Sequence, residues 1–147
     1  MSKVVAYYHI VFCTKRREKT IPLQYKKDVY RYIWKIISDN KCKLLRIDGI
    51  QNHIHILMDL HPSVALAKIM QSIKSMSSGW MVQDGRFGFF DGWGEGYFAC
   101  SVSPHEKKSV IDYIMNQEVH HLGRDFDEEV KGLYWSADIE YDDRDLR

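Results

Sequence analysis

CKLLRIDGIQNHIHILMDL, residues 42–60, reads as two strands with a tight junction between them. Apolar and polar residues alternate over 42–51 and again over 53–60, and Gln51-Asn52 is short enough for a tight turn or bulge. On either side lies a helical period. From Leu23 to Asn40, Val29, Ile33, Ile36 and Ile37 recur at three- and four-residue intervals, behind Thr20 as a cap and Pro22 at a first helical position. After Pro62-Ser63, and through about Met81, the residues Val64, Leu66, Ala67, Ile69, Met70 and Ile73 form a wide apolar stripe. Outside these helices stand two more strands, 3–14 (KVVAYYHIVFCT) and 97–102 (YFACSV).

The order β-α-β-β-α-β is that of a ferredoxin-like split βαβ fold, an α+β class with a four-stranded antiparallel sheet. Two helices would cover one face of the sheet and leave the other free for a ligand or partner. A further helix, introduced by Ser103-Pro104-His105 and running to about His121, adds Val110, Ile111, Ile114, Met115 and Val119 on one side. Residues 84–97 (DGRFGFFDGWGEGY) carry five glycines and read as a surface loop. The chain divides into one domain, 1–123, and an acidic tail, 124–147, with a short helix around Phe126–Leu133.

With 147 residues, 45% of them hydrophobic and 28% charged, the chain is one globular domain rather than a disordered or fibrous one. No stretch approaches about 18 uninterrupted apolar residues, which excludes a membrane span. The N-terminus lacks the layout of a signal peptide. Cys13, Cys42 and Cys100 are odd in number and far apart, which fits a reduced, cytoplasmic protein rather than a disulfide scaffold or a structural zinc site. The net charge of +1 hides an asymmetry: residues 1–80 hold 14 Lys and Arg against 5 Asp and Glu, and residues 81–147 hold 7 against 15. The densest basic run is Lys15-Arg16-Arg17. A polyanion-facing surface and a merely solvated one are both compatible with this pattern.

Chemistry concentrates at two places. His53 and His55 alternate along one strand and so point to the same face, where two imidazoles one step apart can clasp a divalent ion or simply meet solvent. Tyr113 and Gln117 are four apart, neighbours on one helix face. A tyrosine hydroxyl, with a reference pKa near 10, needs a base or a metal-activated electrophile to act as a nucleophile, and Gln117 would offer a neutral oxygen to that metal. His120 and His121 compete with it as ligand or base. There is no Walker loop and no strand–GxGxxG–helix unit.

The segments YYHIVFCTKRR, NHIHIL, SIKSMSSGW and GYFACSVSPHEKKSVIDYIMNQEVHH together resemble the single-tyrosine HUH transposases of the smallest bacterial insertion sequences, in the same order over nearly the whole chain. The resemblance implies a homodimeric, metal-dependent endonuclease and strand transferase acting on single-stranded DNA. It implies His53, His55 and Gln117 as ligands of Mg²⁺ or Mn²⁺, and Tyr113 as the nucleophile that forms a 5′-phosphotyrosine. Lys15, Arg16 and Arg17 would hold the DNA backbone near a hairpin end. In this family the tyrosine helix docks on the partner subunit's histidines, and some members are domesticated and act on chromosomal palindromic repeats. Two rival readings of the same fold are a non-catalytic nucleic-acid-binding module that stacks bases on Tyr7, Tyr8 or Phe12, and a small interaction domain that dimerises through its open sheet face.

Overall fold

A computed structural model describes residues 1–121 and 124–147. Its regular elements are β1 (Tyr7–Cys13), α1 (Lys26–Asp39), β2 (Lys43–Ile50), β3 (His53–Asp59), α2 (Leu66–Gln83), β4 (Phe98–Val102), α3 (Lys107–Ile114), α4 (Gln117–His120) and α5 (Phe126–Ser136). The sheet runs β2-β3-β1-β4, every neighbouring pair antiparallel. This is the expected ferredoxin-like arrangement. β1 begins at Tyr7 rather than near Lys3. Beyond Tyr7 the ladder with β3 ends, and the Asp59 carboxylate takes over by accepting the Ala6 N–H at 3.1 Å.

Ile10 and Phe12 of β1, with Ile54, Ile56 and Met58 of β3, face α1 and α2 and pack on Val29, Ile33, Ile37, Ile69 and Ile73. The glycine-rich segment is less of a surface loop than expected. Phe87, Phe90 and Trp93 are buried and close one end of this core, and the Trp93 indole donates to Ser77 Oγ at 2.9 Å. Glycines at 92 and 96, both with positive φ, let the chain turn around those aromatics.

The opposite sheet face is not free. α5 lies across it, and Val11, Cys13 and Phe98 form a second core with Phe126, Val130, Tyr134 and Leu146. The reason lies in the sequence of α5: Phe126, Val130 and Leu133 recur at helical spacing, and the acidic residues Asp127 and Glu128 fall on the outside. Asp125 caps the helix by accepting the Glu128 N–H at 2.9 Å. Burying Phe126, Val130 and Tyr134 is worth roughly 1.5–3 kcal/mol for each side chain. The acidic segment is therefore part of the folded body rather than a tail, and the expected boundary after residue 123 falls at Leu122-Gly123, outside the described residues.

The helix expected over 103–121 is broken. After α3 the chain extends at Met115 and turns through Asn116, which sits in the left-handed region at φ 61° and ψ 43°, before α4 begins at Gln117. Asn tolerates that conformation better than other non-glycine residues.

Candidate metal and tyrosine site

β3 carries His53 and His55 on the face that α5 covers, opposite Cys13 and Val11 of β1. The shared face was legible from the alternation, but the face is dry: both imidazoles are fully buried. Their Nε2 atoms lie 3.2 and 3.0 Å from one oxygen, Glu129 Oε1. His121 Nε2 reaches the same oxygen at 3.1 Å. Gln117 is buried as well, and its Oε1 stands 3.4 Å from His53 Nε2. The Gln117 amide is oriented by its own NH₂ group, which donates to the Tyr113 carbonyl at 3.1 Å. So Tyr113 and Gln117 remain linked although a kink, not a continuous helix face, joins them.

The Tyr113 hydroxyl donates to the other Glu129 oxygen, Oε2, at 2.6 Å. Its ring stands edge-on to His55 and His9 and stacks on His120. Of the two competing histidines, His121 therefore enters the site directly and His120 only through the tyrosine ring. Arg124 donates to the Tyr113 hydroxyl at 3.2 Å and lies 3.7 Å from Glu129 Oε2.

The protonation pattern shows what the cluster would hold. Asn52 Nδ2 donates to the Arg17 carbonyl, so Asn52 Oδ1 is the atom that faces His53 Nδ1 at 2.8 Å, and that nitrogen carries a proton. Neutral His53 then presents a lone pair at Nε2, directed at two oxygens that are acceptors themselves. A cation resolves that conflict. His53, His55 and Glu129 offer ligand atoms all within 4.8 Å of one another, and with Gln117 they make a nitrogen and oxygen donor set suited to a divalent ion. Burial, together with the neighbouring His55, holds His53 down to about 4 despite the pull of Glu129, so it is neutral at physiological pH. His9 backs His55 with an Nε2···Nδ1 contact of 3.0 Å, and burial followed by the His55 charge holds it down to about 3. Such an outer contact fixes the tautomer of a ligating imidazole.

Burial works to raise the Glu129 carboxyl, but the close imidazoles of His121, His53 and His55 outweigh it and hold the group far below the usual carboxylate range. Burial, then the Glu129 charge and hydrogen bond, push the Tyr113 phenol well above its ordinary value, against the opposing effect of Arg124. The phenol is thus protonated at neutral pH.

The basic run does not share one surface. Lys15 is exposed beside a groove between α2 and the glycine-rich segment. Arg16 is exposed and paired with Glu18 and Asp91 at 2.9 and 2.8 Å. Arg17 turns inward, donating to the carbonyls of Leu146 and Asp145 at 2.6 and 2.8 Å and pairing with Asp127.

Glu129, His9 and Arg124 were missed from the sequence. For Glu129 a signal existed: it falls between Phe126 and Val130 on the apolar stripe of its helix, where an acidic residue needs a partner. His9 shares the alternating face of β1 with Val11 and Cys13, but nothing local distinguishes it from a surface histidine.

A ferredoxin-like sheet whose paired histidines face a helix-borne tyrosine defines the class of single-tyrosine HUH transposases. The family described as "Transposase IS200 like" matches residues 2–117, and the chain belongs to it. The match ends at Gln117, so α5 and Glu129 lie outside it. The transposase of insertion sequence IS200 from Salmonella typhimurium strain LT2 is 26% identical over 115 residues, covering 75% of each chain, and the one from Salmonella typhi is equally similar. The fold is shared with a crystal structure from Deinococcus radiodurans R1 described as a transposase, at TM-score 0.62 and 20% identity over 79% of this chain and 93% of that one. It is also shared with a REP-associated tyrosine transposase bound to a REP hairpin, at TM-score 0.60 and 17% identity over 82% of this chain and 74% of the other. No described helix is long and apolar enough to cross a membrane.

Proposed function

We propose that this transposase cleaves and rejoins single-stranded DNA through Tyr113, with His53, His55 and Gln117 holding Mg²⁺ or Mn²⁺ and Glu129 adding a carboxylate to the same ion. One observation carries the reading: the Tyr113 hydroxyl and the two imidazoles of the same chain meet on one carboxylate, that of Glu129. A divalent ion there supplies Lewis-acid polarisation of the scissile phosphate and offsets the charge that develops on it. The residues do the rest. Glu129 orients the phenol, and Arg124 places a positive charge beside the tyrosine oxygen as it becomes negative. The phenol proton leaves along its hydrogen bond to Glu129 as that oxygen attacks phosphorus, the bond to the 3′ oxygen breaks, and the departing oxygen takes up a proton, so that a 5′-phosphotyrosine and a free 3′-OH remain. The covalent link keeps the phosphodiester energy, so attack by another 3′-OH reverses the step without ATP.

The hairpin in the related complex supports hairpin-bearing single-stranded DNA as substrate. Lys15 and Arg16 are exposed for its phosphates, whereas Arg17 already serves the C-terminal segment. A homodimer in the cytoplasm belongs to the same reading through the family, although one chain alone brings the tyrosine to the histidines. The test incubates the protein with Mn²⁺ or Mg²⁺ and end-labelled single-stranded hairpin oligonucleotides from the flanks of its gene. A metal-dependent covalent adduct on the 3′-side fragment, absent in Tyr113→Phe and His53→Ala, is expected on a denaturing gel. Tight binding with no adduct in either metal would point to a binding module instead.

A further inference from the structure

α4 has four residues and follows a left-handed Asn116, so neither its length nor its entry fixes where Gln117 points. Its first N–H groups also lack partners within the helix. One carboxylate from outside holds the entry and accepts the first of those N–H groups. Asp48 Oδ2 accepts the Gln117 backbone N–H at 3.2 Å. Asp48 Oδ1 accepts from the Gly49 N–H at 2.8 Å and from the Lys26 ammonium at 3.1 Å. Lys26 is buried and also donates to the Gly49 carbonyl at 3.1 Å and to the Glu118 carboxylate at 2.8 Å. The two residues that open α4 are thus each tied to the Asp48–Lys26 pair. In the ladder Asp48 stands directly opposite His55, so this anchor springs from the same pair of strands as the histidines.

We propose that Asp48 is a positioning residue for the metal site: by capping α4 it sets the Gln117 side-chain oxygen against His53 Nε2. The proposal rests on the reading of Gln117 as a metal ligand. Asp48 supplies no atom to the cluster of His53, His55 and Glu129, its partners being Lys26, the Gly49 N–H and the Gln117 N–H, and it acts only through Gln117. Its removal therefore costs metal affinity only while Gln117 is present. Outer-sphere partners of ligands are typically worth tenfold or more in metal affinity.

The test is a double-mutant cycle on the full chain with Mn²⁺ alone as the probe, read by calorimetric titration alongside the unfolding midpoint. Gln117→Ala and Asp48→Ala are each expected to weaken Mn²⁺ binding about tenfold or more, and the double variant to bind no more weakly than Gln117→Ala. If Gln117→Ala binds like the parent chain, Gln117 is no ligand and both readings fall. If Gln117→Ala weakens binding but Asp48→Ala stays within twofold of the parent, only the positioning role falls. Losses that multiply in the double variant would also overturn it, since they would show Asp48 acting by another route. Should Asp48→Ala fail to fold, Asp48→Asn takes its place. One amide oxygen cannot serve both Gln117 N–H and Lys26, so a loss of at least threefold is expected, absent in the Gln117→Ala background; affinity equal to the parent overturns the proposal.

Discussion

The hydroxyl of Tyr113 donates to Oε2 of Glu129 at 2.6 Å, and the other oxygen of that carboxylate touches His53 and His55. One side chain from α5 therefore joins the proposed nucleophile to the proposed metal ligands, from beyond the stretch that matches the family.

Tyr113→Phe separates chemistry from stability. Covalent adduct formation is expected to vanish, because among the described residues Tyr113 is the one whose hydroxyl bonds the Glu129 carboxylate beside the histidines. The stability loss is expected to stay near 1 kcal/mol, the usual net value of a hydrogen bond, as read from urea unfolding. A loss of several kcal/mol would show that the phenol holds the site together rather than serving it.

Glu129→Gln keeps the shape of the carboxylate and removes its charge. Mn²⁺ affinity is expected to fall about tenfold, so saturating metal should stabilise this variant by about 1.4 kcal/mol less than the parent. An unchanged metal-induced shift in Tm would exclude Glu129 as a ligand.

Acid should unfold the metal-free protein early. His53 and His9 are held at about 4 and about 3, below their ordinary 6.5, so the unfolded chain binds more protons over that interval. Their contribution is complete above pH 6.5 and falls away as the pH drops towards 4. Glu129, also depressed, loses its own contribution at lower pH, from its ordinary value of 4.5 downward. Tm measured from pH 7 to pH 4 should fall throughout, and His9→Asn should flatten the upper part of the curve. A flat profile in the parent chain would contradict the burial of these imidazoles.

Arg17→Ala should loosen the C-terminal segment, because its guanidinium holds the Leu146 and Asp145 carbonyls from a nearly buried position. A loss of roughly 1.5–3 kcal/mol is expected for charged hydrogen bonds of this kind. Limited proteolysis should cut within 137–147 sooner than in the parent; equal cleavage rates would assign the anchoring to Leu146 packing alone.

Gly49→Ala places a methyl group against the His53 carbonyl oxygen, a backbone atom that cannot swing aside. β2 and β3 must move apart where the histidine strand begins. A loss of about 1–3 kcal/mol is expected from such overpacking, together with weaker Mn²⁺ binding. Parent-like thermal stability would mean that the strands give way there without cost.

The β-α-β-β-α-β order and the shared face of His53 and His55 were legible because strand alternation and helical spacing are local properties. The cover over that face was not. α5 reads as acidic, and only the placement of Glu129 between Phe126 and Val130 hints that the helix is buried against something. The break at Asn116 was hidden for a related reason: Ile111, Met115 and Val119 keep a four-residue period across it, while the carboxylate that receives the Gln117 N–H beyond the break is that of Asp48, far away in sequence. Arg17 illustrates the limit of reading charge, since its partners are backbone carbonyls of residues 145 and 146.

β3 is paired on both sides, with β2 and β1, and is packed on both faces. Amides in such a strand exchange with solvent only when the whole domain unfolds, whereas short helices joined by an irregular residue open on their own. The cluster of Tyr113, Gln117 and the two histidines is therefore split in its motions. The imidazoles ride on the slowest-breathing part of the molecule, and Tyr113 and Gln117 on one of the quickest. Hydrogen exchange across 107–121 should run ahead of 53–59 by orders of magnitude, the tyrosine half opening while the histidine half stays where it is.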